Sequence, residues 1–152
     1  MQVFRIAKTR YINDLTGSGA KAYGGRWNRK GYGVIYTSES RSLATLEYLV
    51  HVPLSIIPTG LSIACIEIPD DIIPKLISID DLPLNWRDYP APPGLAELGT
   101  DWVLSRDSLL LRIPSVIVEN ESNVLINPIH PEINNVAISR VESYTFDNRL
   151  TR

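Results

Sequence analysis

Residues 24–53 read GGRWNRKGYGVIYTSESRSLATLEYLVHVP, and this stretch changes its periodicity once, near its middle. The β-branched and aromatic run GVIYTS predicts a short buried strand ending near Tyr36. Ser38 and Ser40 then offer N-caps for RSLATLEYLVHV, a helix that Pro53 terminates. At 100° per residue Leu43, Leu46 and Val50 share one face of that helix, and Glu47 falls at the border of the same arc. A strand handed directly to an amphipathic helix, preceded by a turn with two glycines, an arginine and an asparagine, makes a compact place for chemistry.

Working outward, QVFRI at 2–6 predicts a first strand, and Lys8 to Lys21 an irregular connection. LSIACIEIP is apolar at nearly every position and predicts a central strand. Lys75 to Ile79 allows a short strand, NWRDYPAPPG a proline-rich loop, and LAELGTDWVLS a helix with Leu95, Leu98 and Trp102 in step despite its internal glycine. LLLRIPSVIVE predicts one or two strands divided at Pro114, ESNVLINPIHPEI a strand running into a turn, and VAISRVESYTFD a closing strand. Strands dominate and helices are interspersed irregularly, which predicts α+β rather than regular βαβ units.

The 152 residues suit one domain with a real core, taken as 1–152. A net charge of -2 and no basic run give no footing for nucleic-acid binding through phosphate neutralisation. The opening lacks the apolar core of a signal peptide and no run approaches a membrane span, so a soluble, cytoplasmic chain is expected. The lone Cys65 cannot form an internal disulfide and reads as a small buried apolar residue.

Arg26, Tyr36 and Glu47 lie on three consecutive elements and can converge on one cleft. Arginine presents a fork of donors that suits a diphosphate, and a carboxylate can orient ribose hydroxyls or stabilise a developing sugar cation. Each also has an ordinary reading: a structural ion pair for Arg26, core packing for Tyr36, a solvated boundary carboxylate for Glu47. Neither GxxxxGK[ST] nor GxGxxG occurs, so phosphate-loop and dinucleotide folds are not indicated. Ser115, Ser122, Asn123, Asn127 and His130 are spread along the later strands, but no GxSxG elbow supports a serine triad. His51 and His130 lack metal-ligand spacing, and no metal is expected. His130, between Ile129 and Pro131, reads as a turn residue.

GSGAKAYGGRWNRKGYGVIYTSESRSLATLEYLVH, followed by LRIPSVIVENESNVLINPIHPEI, resembles the RES domain family, named for a shared arginine, glutamate and serine. The resemblance runs over nearly the whole chain. It implies a single domain similar to the ADP-ribosyltransferase fold, with mixed β-sheets forming a central cleft and a few flanking helices. It further implies the toxin of a bacterial type II toxin–antitoxin pair. Such a toxin acts on NAD+ at the nicotinamide–ribose bond, with phosphate, water or a protein side chain as acceptor. The partner implied is an Xre-type helix-turn-helix antitoxin that blocks the cleft, with homo-oligomerisation open. NAD+ would be substrate and inorganic phosphate a co-substrate, with no resident cofactor.

Carried over by position, the family arginine is Arg26, the tyrosine Tyr36 and the glutamate Glu47. The serine is Ser115, with Ser122 as alternative. Arg5 is implied as a second diphosphate contact, and Gly25, Asn28, Ser122 and Asn127 as substrate-binding positions. On this reading the glycines let the backbone approach the dinucleotide, Tyr36 meets the nicotinamide riboside, and the serine orients Arg26 or the ribose. Lys21, Arg29 and Lys30 are candidates for an acceptor-anion pocket. A non-catalytic module that keeps the fold is the remaining alternative, although every family position is filled.

Overall fold

The structure is a computed structural model and describes residues 1–53 and 55–151. Seven strands join in one sheet of order β4-β5-β6-β2-β1-β3-β7. They are β1 (Gln2–Lys8), β2 (Ile35–Ser38), β3 (Leu61–Glu67), β4 (Lys75–Leu76), β5 (Leu110–Pro114), β6 (Ser122–Ile126) and β7 (Ala137–Tyr144). Only the β4–β5 pair is parallel, so the α+β expectation holds, with a mixed sheet. Three helices accompany it: α1 (Ser18–Tyr23), α2 (Arg41–Leu49) and α3 (Pro93–Ser105).

Alternation along the strands sorts the core into two faces. Val3, Ala64, Leu110, Val124 and Ile126 pack together on one. Their strand neighbours face the other way and form two clusters: Leu111 and Leu125 with Trp27, Trp86 and Trp102 under α3, and Ile6 and Ile63 with Ala44 under α2. β3 is buried along six successive positions because β1 and β7 flank it and both its faces are covered. By contrast β1 and β2 share a single register pair, Phe4↔Ser38. Phe4, Ile6, Tyr36, Thr37 and Ser38 from this seam all line a cleft to which α1 and α2 also contribute.

Local chemistry explains where the sequence-based boundaries shift. The Ser40 side chain accepts the Leu43 amide at 3.0 Å, so Ser40 rather than Ser38 caps α2. The helix ends at Leu49, four residues short of Pro53, which leaves Val50 past its end and 56% exposed at the cleft instead of on a buried face. The stretch expected to be irregular ends in α1, whose first residue is held by Asp14: Oδ2 accepts the Ser18 amide and hydroxyl while Oδ1 accepts from Thr16. Burial alone would raise that carboxyl, but these donors outweigh it and hold Asp14 at about 2. Residues 116–118 form no second strand after Pro114, because Ser115 Oγ accepts the amides of Ile117 and Val118, each at 3.1 Å, and bends the chain. The Lys75 strand is two residues long and yields to a 3₁₀ turn at Ile79–Asp81.

Gly99, the glycine inside α3, has a steric reason. A Cβ built there would sit 1.7 Å from the Trp27 carbonyl oxygen, so α3 rests directly on the backbone of the Arg26–Asn28 turn. Pro93 opens that helix at a position where its missing N–H costs nothing. Cys65 is buried as expected, and His130 Nδ1 accepts the Glu132 amide at the start of the 3₁₀ turn Pro131–Asn135.

Candidate active site

The cleft has a volume of about 850 Å³ and brings together Arg26, Tyr36 and Glu47, three residues separated in sequence but adjacent along turn, strand and helix. Arg26 is anchored from outside the turn. Its Nη1 donates to the Trp86 carbonyl at 2.8 Å and its Nη2 to the Asp88 carbonyl at 3.1 Å, both on the loop before α3. Partial burial lowers its pKa, while the nearby Glu47 and Asp88 carboxylates act in the opposite sense. The guanidinium is thus oriented by neutral carbonyls and keeps its charge for a ligand.

Glu47 is held more closely. Its Oε1 accepts from Ser115 Oγ at 2.9 Å and from Asn123 Nδ2 at 2.5 Å, while among the described residues nothing donates to Oε2. Asn123 is itself fixed, since its Oδ1 accepts the Ser38 hydroxyl at 2.7 Å. The ladder makes this possible by placing Ser38 opposite Asn123 across β2 and β6. A carboxylate with one oxygen clamped by two neutral donors and the other open is preorganised to face positive charge.

Ser115 therefore donates to Glu47, and among the described residues it makes no hydrogen bond to Arg26. Ser115 and Ser122 both line a second groove of about 590 Å³ beside Pro114, shared with Arg112 and Glu121, and neither is among the residues that line the cleft. Asn123 is the residue sequence reasoning left among the scattered polar groups. Its signal was present in SNVLI, where it alternates with Leu125 toward the cleft side of β6.

The other expected contacts are redistributed. The Tyr36 hydroxyl accepts the Trp27 amide at 3.1 Å and donates to Asn28 Oδ1 at 2.6 Å. Burial pushes this phenol well above its ordinary value, with the Trp27 amide and Arg26 opposing. Its hydroxyl is therefore a brace for the Arg26 turn, while the side chain still lines the cleft. Asn28 is buried and spends its amide on the carbonyls of Ala20 and Tyr32, at 2.9 Å each, so it ties α1 to the turn and is not among the residues that line the cleft. Gly25 borders the cleft, but a Cβ there would meet the Tyr36 hydroxyl at 2.7 Å. Its smallness thus serves the Tyr36–Asn28 brace first.

Asn127 is fully buried, donating to the Val103 carbonyl and accepting the Ile129 amide, and does not line the cleft. Arg5 borders the cleft, yet its Nη atoms donate to the carbonyls of Tyr11, Ile12 and Asp14. It orders the 9–16 loop, and burial lowers its pKa. Lys21, Arg29 and Lys30 are absent from the lining, and Arg29 faces Glu97 at 3.6 Å. The cations that line it are Arg5, Arg26 and Arg87. Among the described residues no group of three His, Cys, Asp or Glu side chains is arranged to hold a metal ion, and no helix is long and apolar enough to cross a membrane.

Comparison with known proteins gives this arrangement its relatives. The RES domain family matches residues 2–147. The chain belongs to that family. A protein called Toxin Res from Yersinia enterocolitica is 43% identical over 153 residues, covering 99% of each chain. The Prs ADP-ribosylating toxin of a Sphingobium species is 37% identical over 148 residues, covering 96% of this chain and 92% of its own. Among solved structures, the M. tuberculosis MbcT–MbcA toxin–antitoxin complex contains a chain that superposes with a TM-score of 0.77. It covers 95% of this chain and 84% of that one at 14% identity, a likeness of fold.

Proposed function

We propose that this RES domain is the toxin of a bacterial toxin–antitoxin pair and acts on NAD+ by breaking the nicotinamide–ribose bond. The observation that carries the reading is Glu47, clamped on one oxygen by Ser115 and Asn123 and open on the other, in a cleft that also presents the Arg26 guanidinium. Names borne by relatives at 37–43% identity, Toxin Res and Prs ADP-ribosylating toxin, support it.

In this mechanism Arg26 binds the diphosphate and fixes the dinucleotide along the cleft. The C1′–N bond breaks heterolytically, and the electron pair leaves with the ring nitrogen. Nicotinamide is cationic while attached and departs neutral, so no general acid is required. Positive charge develops on the ribose, and the open oxygen of Glu47 stabilises it at the moment it appears. Ser115 and Asn123 prevent the carboxylate from rotating away, so little reorganisation accompanies the step. A phosphate oxygen or water then attacks C1′, giving ADP-ribose 1″-phosphate or ADP-ribose, with the proton of water passing to solvent.

The partner in this reading is an Xre-type helix-turn-helix antitoxin that occupies the cleft, and DNA contact falls to the antitoxin because the toxin carries a net charge of -2. The Sphingobium relative's name favours one alternative, transfer of ADP-ribose to a cellular protein from the same donor site. Incubating the purified chain with NAD+ with and without inorganic phosphate, and with adenylate-labelled NAD+ and cell extract, separates the acceptors. Consumption that needs phosphate supports phosphorolysis, consumption in its absence supports hydrolysis, and label transferred to one protein band supports the alternative.

A further inference from the structure

Two tyrosines on the rim of the cleft have no structural task. Tyr23, the last residue of α1, is 88% exposed, and Tyr89, in the loop before α3, is 87% exposed. Both line the cleft. Tyr11 and Tyr32 each lie under an arginine, whereas among the described residues neither Tyr23 nor Tyr89 has a ring stacked on it, a cation over its face or a hydrogen-bond partner. Large aromatic side chains left in water at a concave site are suited to a flat ligand, since every nucleobase offers a π-face.

Their placement relative to the site gives that ligand an order. Glu47, half-buried, is held by Asn123 of β6 and by Ser115 at the bend after β5. Arg26 is held on the carbonyls of Trp86 and Asp88. Tyr89 follows Asp88 directly, close enough to Arg26 to act on its charge, and Tyr23 precedes Arg26 by three residues across the glycine pair. A dinucleotide with its reacting ribose at Glu47 and its diphosphate at Arg26 therefore brings its distal nucleoside to these two rings. Tyr36 does not compete for this role, because it is bonded into the turn beneath.

We propose that Tyr23 and Tyr89 form a base subsite, stacking the purine of the dinucleotide at the mouth of the cleft and setting the preference for NAD+ over its mononucleotide half. The proposal rests on the reading of the cleft as an NAD+ site. It predicts that the adenosine moiety adds affinity that nicotinamide mononucleotide lacks, and that this increment resides in the two rings.

The test compares NAD+, AMP and nicotinamide mononucleotide on the full chain, by calorimetric binding to the Glu47→Gln variant and by initial rates on the active protein. Tyr23→Ala and Tyr89→Ala are each expected to weaken NAD+ and AMP binding on the order of 10-fold, the usual scale of one base–aromatic stack. The KM for NAD+ rises in parallel, while kcat and mononucleotide binding stay unchanged. Tyr23→Phe and Tyr89→Phe, which keep the ring, retain wild-type affinity. Equal weakening of NAD+ and mononucleotide overturns the subsite, as does no weakening at all, which would give the exposed rings to a protein partner. NAD+ that binds with this pattern but is never consumed upholds the subsite and removes the proposed reaction. NAD+ that does not bind removes both.

Discussion

Asn123→Ala isolates the clamp on Glu47, because Asn123 contacts the carboxylate without reaching the anchors of Arg26. The substitution removes the 2.5 Å donor to Oε1 and leaves Ser115, at 2.9 Å, as the only remaining clamp. A hydrogen bond to a charged group is worth about 1.5–3 kcal/mol, of which the fraction expressed in the transition state lowers kcat. With Ser115 still in place about half of that is expected to appear, a loss of kcat of roughly 10-fold, since 1.4 kcal/mol is a factor of ten. The anchors of Arg26 are untouched, so KM for NAD+ should hold within about twofold, the signature of an interaction made in the transition state alone. Ser115→Ala should behave alike. The double variant should lose more than the product of the singles, because either donor alone still restrains the carboxylate. Initial rates of NAD+ loss across a substrate series measure all three. A wild-type kcat in Asn123→Ala, with the fold intact by circular dichroism, would refute the clamp.

Further outcomes test the scaffold. Gly99→Ala drives a Cβ into the Trp27 carbonyl, where backbone must move; a cost of about 3 kcal/mol is expected, read as a Tm roughly 6–12 °C lower. Tyr36→Phe strands the Trp27 amide and Asn28 Oδ1, and thermal unfolding should show a loss of about 1–3 kcal/mol. Asp14 has its folded pKa depressed from 3.8 to about 2, so the stability it contributes is present above pH 3.8 and is lost as pH falls toward 2. Urea unfolding across that window should therefore flatten in Asp14→Asn relative to the native chain.

The convergence of Arg26, Tyr36 and Glu47 on one cleft was more legible than the contacts that hold them. Arg26, Tyr36 and Glu47 were legible because a glycine turn, a strand and a capped helix follow one another within 30 residues, and local periodicity reports such elements. Their partners are contributed by distant segments. Trp86 and Asp88 hold Arg26 through backbone carbonyls, which have no sequence signature. Asn123 reaches Glu47 only because β6 pairs beside β2, a register that periodicity cannot give. The hydrogen bonds of Tyr36, Asn28 and Asn127 were not legible for the opposite reason: polar side chains near a ligand-like motif are here engaged by buried backbone groups that must be satisfied. Similarly, VIV looks like a strand by composition, and one serine hydroxyl bends it away.

If the open oxygen of Glu47 meets positive charge on a ribose as nicotinamide leaves, release of nicotinamide depends on that carboxylate. Chromatographic quantitation of nicotinamide released from NAD+, by the native chain and by Glu47→Gln, decides this. Stoichiometric release by the native protein is expected, with a loss of at least about 100-fold in the variant, the scale of removing one preorganised electrostatic group. Nicotinamide released equally by both proteins would contradict it.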